Sequence, residues 1–121
     1  MKFLLLCCDD EQEWSKVSKS DQQQHMNRIY HVLDAMKANG QYISSVRLQP
    51  TTSATCVRVR NGKMMVTDGP FAETREQLGG FFLIEAPNKE EAARIAARIP
   101  GSPRHTFEVR QVLEIPNLPA S

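Results

Sequence analysis

Two hydrophobic periods alternate along the chain, and their order predicts its elements. Lys2 to Cys7 is a short, nearly uninterrupted apolar run, the pattern of a central strand covered on both faces. Asp9 to Lys19 is polar with one Trp14 and reads as a loop. Met26, Ile29, Leu33 and Met36 then recur at helical steps. Ser18 and Ser20 offer N-caps, Ser20 with Gln23 having capping-box spacing, and Asn39-Gly40 supplies the stop. A helix from about Asp21 to Ala38 follows. Tyr42 to Leu48 reads as a strand ended by Gln49-Pro50. In Ala54 to Arg60, Thr55, Val57 and Val59 alternate with Cys56, Arg58 and Arg60. Asn61-Gly62 separates that stretch from Lys63 to Thr67, which is a strong short-range hairpin signal. Asp68 to Gly80 holds three glycines and a proline and reads as a loop, and Phe81 to Ala86 as a strand apolar on both faces. Asn88 can cap a second helix with the stripe Ala92, Ile95, Ala96 and Ile99, stopped by Pro100-Gly101. Thr106 to Ile115 alternates, with Phe107, Val109, Gln111 and Leu113 on one face, before a tail from Pro116 to Ser121.

The order is β-α-β-β-β-β-α-β, an α+β chain with a ferredoxin-like βαββαβ plan and an extra hairpin inserted in its middle. With no repeat, linker or low-complexity tract, residues 1–121 read as a single domain. Two helices cover only one face of such a sheet, yet the first strand and Phe81 to Ile84 are apolar on both. A second copy of the sheet is the simplest cover, so the sequence points to a homodimer.

Charge narrows the partners. Fifteen Lys and Arg are scattered among fourteen Asp and Glu, for a net charge of +1. No direct nucleic-acid binding is expected, nor attraction to an anionic membrane. The apolar start Phe3 to Cys8 falls far short of the ~20 residues of a membrane span, and Asp9-Asp10-Glu11 replaces a signal-peptide cleavage site. A cytoplasmic protein is the simplest expectation. Cys7, Cys8 and Cys56 form no Cys-x-x-Cys pair and read as reduced, small apolar side chains, a reactive thiol being the alternative. His25 and His31 lie six positions apart, roughly 240° around a helix, so they form no helical two-His site. No metal or other cofactor is signalled.

The segment Thr67-Asp68-Gly69-Pro70-Phe71-Ala72-Glu73-Thr74-Arg75-Glu76-Gln77-Leu78-Gly79-Gly80-Phe81 resembles the signature of the DGPF-domain proteins, a branch of the YCII-related family. Val57 to Lys63 and Ala92 to Pro100 also fit, so the resemblance covers most of the chain. It implies a dimeric α+β barrel of two ferredoxin-like sheets packed face to face. It brings no settled activity. Some relatives are encoded beside extracytoplasmic-function sigma factors, which implies stress or regulatory roles, and others on this fold are small-molecule enzymes. In YCII-like relatives a His near the start of the first helix, paired with an Asp, is a suggested active site, and His25 falls at that position. The acidic partner precedes a Pro after the second helix, where this chain has Ile99 before Pro100. Asp21 or Asp68 would have to replace it.

Two catalytic candidates therefore stand out, Asp68 at the mouth of the rigid Gly69-Pro70 turn and His25, with Asp21 one helical turn before it. Asp68 can equally cap the amides of its own loop, with Phe71 anchoring the loop to the core. Arg58, Phe71 and Glu73 are the candidate ligand contacts, Arg58 as an anion clamp with Arg60 beside it. Two functions in different classes follow. One is a small cofactor-free enzyme using acid–base chemistry on a polar or carboxylated small molecule. The other is a non-catalytic ligand-binding or regulatory module, linked to an extracytoplasmic-function sigma factor. A pocket holding both Asp68 and His25 would favour the enzyme.

Overall fold

In the computed structural model, which describes residues 1–102 and 104–119, the apolar run at the start of the chain is the middle of a four-stranded antiparallel sheet. Its strands are β1 (Lys2–Asp9), β2 (Tyr42–Arg47), β5 (Gln77–Glu85) and β6 (Thr106–Gln111), in the order β2-β5-β1-β6. Between β2 and β5 the chain leaves to form a separate two-stranded sheet of β3 (Thr55–Arg60) and β4 (Lys63–Asp68). The helices are α1 (Glu11–Ser15), α2 (Lys19–Ala38) and α3 (Lys89–Arg98). Without the hairpin and α1 this is the ferredoxin-like βαββαβ arrangement, and the chain is α+β.

Strand pairing decides what each face carries. Phe3 pairs with Ile84 and Leu5 with Phe82 and Val109, so these side chains share a face. Phe3, Leu5 and Ile84 are fully buried there beneath Met36 of α2 and Ala92, Ile95, Ala96 and the capping Ile99 of α3. The opposite face runs Ser44–Leu83–Leu4–Arg110 and Val46–Phe81–Leu6–Glu108 across the strands. No helix covers it. On this face Leu83 is buried, Leu4 and Leu6 are half-buried and Val46 is exposed, so within one chain the helices close the first strand on one face only.

Local sequence signals fix most element ends. Asn61 and Gly62 both have positive φ, at 52° and 76°, the backbone of a two-residue hairpin turn whose twist suits the paired strands. The Asn88 side chain accepts the Glu91 amide at 2.8 Å and starts α3. Helix α2 begins at Lys19 rather than Asp21, because Ser18 and not Ser20 accepts the Asp21 amide, at 3.1 Å.

Three boundaries depart further from the sequence pattern. The stretch Asp9 to Lys19 is not a loop: its first residue closes β1, and Asp10 caps a short helix through the amides of Gln12 and Glu13. Strand β5 starts at Gln77, four residues before Phe81, because Gly79 and Gly80 stay in the ladder. Strand β6 ends at Gln111, the last residue paired with β1, and one further bond from the Val112 amide to the Lys2 carbonyl, at 2.9 Å, closes the ladder. Of the C-terminal tail, residues 120–121 lie outside the described residues.

Candidate functional site

The C-terminal end of β1 carries a linked set of polar contacts. A register shift between Cys7 and Cys8 lets Asp9 pair with Gln77 while its side chain turns toward the α3–β6 connection. Asp9 Oδ1 accepts a 2.5 Å hydrogen bond from the hydroxyl of Ser102, a residue only 4% exposed. Asp9 Oδ2 lies 3.6 Å from the Cys7 thiol, which points at it. Burial first, and the Asp9 charge after it, push the Cys7 thiol up to about 12. At neutral pH Cys7 is a thiol, not a nucleophile, in agreement with reading it as a small apolar side chain. The Ser102 carbonyl in turn sits 2.7 Å from His105 Nδ1. A carbonyl only accepts, so Nδ1 carries the proton.

His25 completes this region from α2. The elbow between α1 and α2 is locked by Gln22, whose amide donates to the Trp14 and Val17 carbonyls at 3.1 and 3.2 Å. Trp14 lies edge-on to the His25 ring, centroids 5.1 Å apart, and the Arg47 guanidinium lies 5.3 Å from the Trp14 centroid. His25 is 8% exposed, and no hydrogen bond joins its ring to another described residue. Since no buried side-chain nitrogen or oxygen among the described residues is left without a partner, its ring nitrogens still touch solvent. Burial lowers the pKa of His25 below 6.5, helped by the positive charges of Arg28 and Arg47, while the Asp9 carboxylate opposes them and His105 adds a smaller push down. The imidazole is therefore neutral near physiological pH.

That lowering has a consequence for stability. A group whose folded pKa lies below its unfolded value stabilises the fold fully above the unfolded pKa of 6.5, and the contribution is lost as pH falls through the folded value. Wild type is expected to lose stability between about pH 7.5 and pH 5 more steeply than His25→Gln. Denaturant melts of both proteins across that range check it, and parallel pH profiles would refute it.

A concavity lies against α1, and His25 is not among its walls. A cleft of about 680 Å³ opens between α1, the turn at Thr51–Ser53 and the segment 69–77, with Glu11, Lys16, Thr51, Pro70, Glu73 and Arg75 among its walls. Glu11 ties the turn to α1, accepting the Thr51 amide and hydroxyl at 2.9 and 2.7 Å. Arg75 Nε reaches Asp10 Oδ2 at 3.1 Å and holds the glycine-proline segment over the cleft. The capping amide of Glu13 and then Arg75 keep Asp10 below the usual carboxylate range.

The residues singled out from the sequence fall into three separate places. His25 lies beneath Trp14, as described. Asp68 ends β4 on the exposed hairpin, and its carboxylate makes no hydrogen bond among the described residues, so it does not cap its own loop. That work falls to the Thr74 hydroxyl, which donates to the Glu76 carbonyl, and to the Gln77 amide, which donates to those of Ala72 and Thr74. Phe71 is 81% exposed and does not anchor the loop to the core; its neighbour is Arg58, whose guanidinium lies 5.7 Å from the ring centroid. Of the remaining ligand candidates only Glu73 lines the cleft, and neither Asp68 nor His25 does. Asp21 makes no ion pair with His25 and contributes its amide to the Ser18 cap instead. Asp9, Ser102 and Arg47 escaped the sequence reading. An Asp directly after an apolar strand was the one signal for the first of them. Among the described residues no group of three His, Cys, Asp or Glu side chains is arranged to hold a metal ion, and no helix is long and apolar enough to cross a membrane.

Fold and cluster together define a ferredoxin-like α+β protein with a shielded histidine under Trp14 and a Ser102-held carboxylate at the end of its first strand. The model of the YCII-related domain matches residues 1–116, and the chain belongs to that family. It is similar to an uncharacterized protein of Rhizobium meliloti (strain 1021), 37% identical over 112 residues that cover 91% of this chain and 90% of the relative.

Proposed function

We propose that this YCII-related protein is a small enzyme that uses acid–base chemistry, without a cofactor, on a polar or carboxylated small molecule, with His25 as the base. The observation that carries this reading is the state of His25: shielded by Trp14, neutral, unclaimed by any hydrogen bond among the described residues, and in the field of the Asp9 carboxylate. A structural histidine this shielded ordinarily spends its ring nitrogens on the protein. Asp9 takes the acidic role for which Asp68 was the sequence candidate. Its own orientation is fixed by Ser102, as a partner that stabilises an imidazolium requires.

Incubation of the full chain in D₂O with a panel of carboxylated small molecules, read by loss of carbon-bound proton signals, tests the proposal. Wild type is expected to exchange at least one of them, and His25→Gln to slow that exchange by about 10²–10⁴-fold, with Asp9→Asn intermediate. Folded variants that exchange as fast as wild type would remove the base.

The working unit of this reading is a homodimer. Its supports are the uncovered sheet face of Leu4, Leu6, Phe81 and Val46 and the exposed apolar side chains of the β3–β4 hairpin, Val57, Val59, Met64 and Val66. Surfaces of this kind are rare on monomers.

A further inference from the structure

We propose that Arg47 is the anchor for an oxyanion, a carboxylate or phosphate, on the small molecule that His25 acts on. This deepens the acid–base reading of His25 and rests on it. Arg47 closes β2 opposite Gly80 of β5, so no side chain from the paired position covers it. Its guanidinium is held by two uncharged partners: the Trp14 ring, and the Met26 sulfur, 3.1 Å from Nη1. Among the described residues none of the ion pairs involves Arg47. A guanidinium stacked on an aromatic ring keeps its plane while its edge stays free to form two parallel hydrogen bonds, the fork that carboxylates and phosphates share.

The surroundings favour an anion. Trp14 is the neighbour that Arg47 of β2 and His25 of α2 share, with the guanidinium 5.3 Å and the imidazole centroid 5.1 Å from its ring. The charged and titratable groups that bear on His25 are Arg28, Arg47 and His105 on the positive side and Asp9 on the negative. Asp9 is already engaged by Ser102 and faced by the Cys7 thiol. The field at His25 thus has three cationic or protonatable contributors against one committed carboxylate. An arriving oxyanion would relieve that imbalance, and by reciprocal linkage its binding and the protonation of His25 would favour each other. Arg58, the clamp expected from the sequence, lies instead on the polar face of the hairpin over Phe71.

The test is a titration of isotopically labelled full-length protein with acetate and separately with inorganic phosphate, at ionic strength held constant with chloride. The His25 Cε1–H signal and Trp14 fluorescence report binding. At least one anion is expected to give a saturable shift of both signals and to raise the His25 pKa. Arg47→Gln should weaken that anion by about tenfold or more, and Arg47→Lys, which keeps a charge but not the fork, should fall between. Response to acetate alone identifies a carboxylate site, and response to phosphate a phosphate-bearing ligand. Absence of saturation with both anions overturns the inference, as does equal affinity in wild type, Arg47→Gln and Arg47→Lys. An Arg47-dependent anion site in a protein whose D₂O exchange ignores His25→Gln would keep the anchor and reject the acid–base chemistry; unchanged affinity in Arg47→Gln with exchange lost in His25→Gln would do the reverse.

Discussion

Gly80→Ala is expected to destabilise the protein by about 1–3 kcal/mol, enough to lower Tm by roughly 5–15 °C, while Gly79→Ala stays within about 0.5 kcal/mol of wild type. Both glycines lie in β5 and neither has a positive φ, so backbone conformation does not separate them. Space does. A Cβ on Gly80 would stand 2.4 Å from the Val46 carbonyl oxygen and 3.3 Å from the Arg47 Cα. Those are backbone atoms of the adjacent strand, so no rotamer change can relieve the clash, and β2 must move away from β5. A Cβ on Gly79 would meet its nearest atoms, Asp9 Oδ2 and the Cys7 carbonyl oxygen, at 3.8 and 3.9 Å, which is ordinary contact. The displacement in Gly80→Ala falls on Arg47 itself, so its anion affinity should drop along with its stability. Thermal melts of the two variants decide it. Equal losses would mean that the close approach of β2 to β5 is not what requires glycine at position 80.

The same pair of glycines shows how far the chain could be read without coordinates. Turn and cap chemistry is local, and Asn61-Gly62, Asn88 and Gly40 each act through the backbone of their own few residues. Those signals were legible. So was the ferredoxin-like order, because it follows from the sequence of periods and the covered face of each strand. Gly79-Gly80 looked like the end of a loop, since glycine is poor at holding a strand in isolation. The ladder holds it anyway because strands on both sides supply partners, Cys7 on one and Arg47 on the other. Asp9 was misplaced for the same reason: an acidic residue is a poor strand former, and only its pairing with Gln77 and the Ser102 hydroxyl keep it in β1. His25 was legible through its place near the start of the long helix α2, but the Trp14 ring that shields it comes from the short helix α1, which the polar stretch did not signal. Arg47 had no local mark at all, because what distinguishes it is the company of Trp14 and Met26 and the lack of a described carboxylate partner.

The hairpin was legible as a hairpin but not as an arm standing apart from the main sheet, and that separation carries the largest assembly effect expected here. Pairing of Val57 with Val66 and of Val59 with Met64 gathers four apolar side chains on one face, while Arg58, Arg60 and Lys63 share the other with Cys56, Met65 and Thr67. All four apolar residues are between 54% and 71% exposed. A two-stranded sheet alone is marginally stable in water, so this arm needs a cover that its own domain does not supply. In the proposed homodimer the cover is the second copy. Burying a Val or Met fully contributes about 1.5–3 kcal/mol, and four half-exposed side chains from each protomer would together contribute several. Placing two carboxylates on this face, as Val59→Glu with Met64→Glu, would oblige a dimer to bury four unpaired charges, each of which costs several kcal/mol. Wild type is expected to scatter light as twice 13.7 kDa and the double variant as 13.7 kDa. Hydrogen exchange of the β3 and β4 amides should at the same time become fast in the variant, while the Phe3 and Leu5 amides of β1 stay protected. A wild type that scatters as 13.7 kDa, or a double variant that keeps the dimer mass, would show that the hairpin is not held by a second copy.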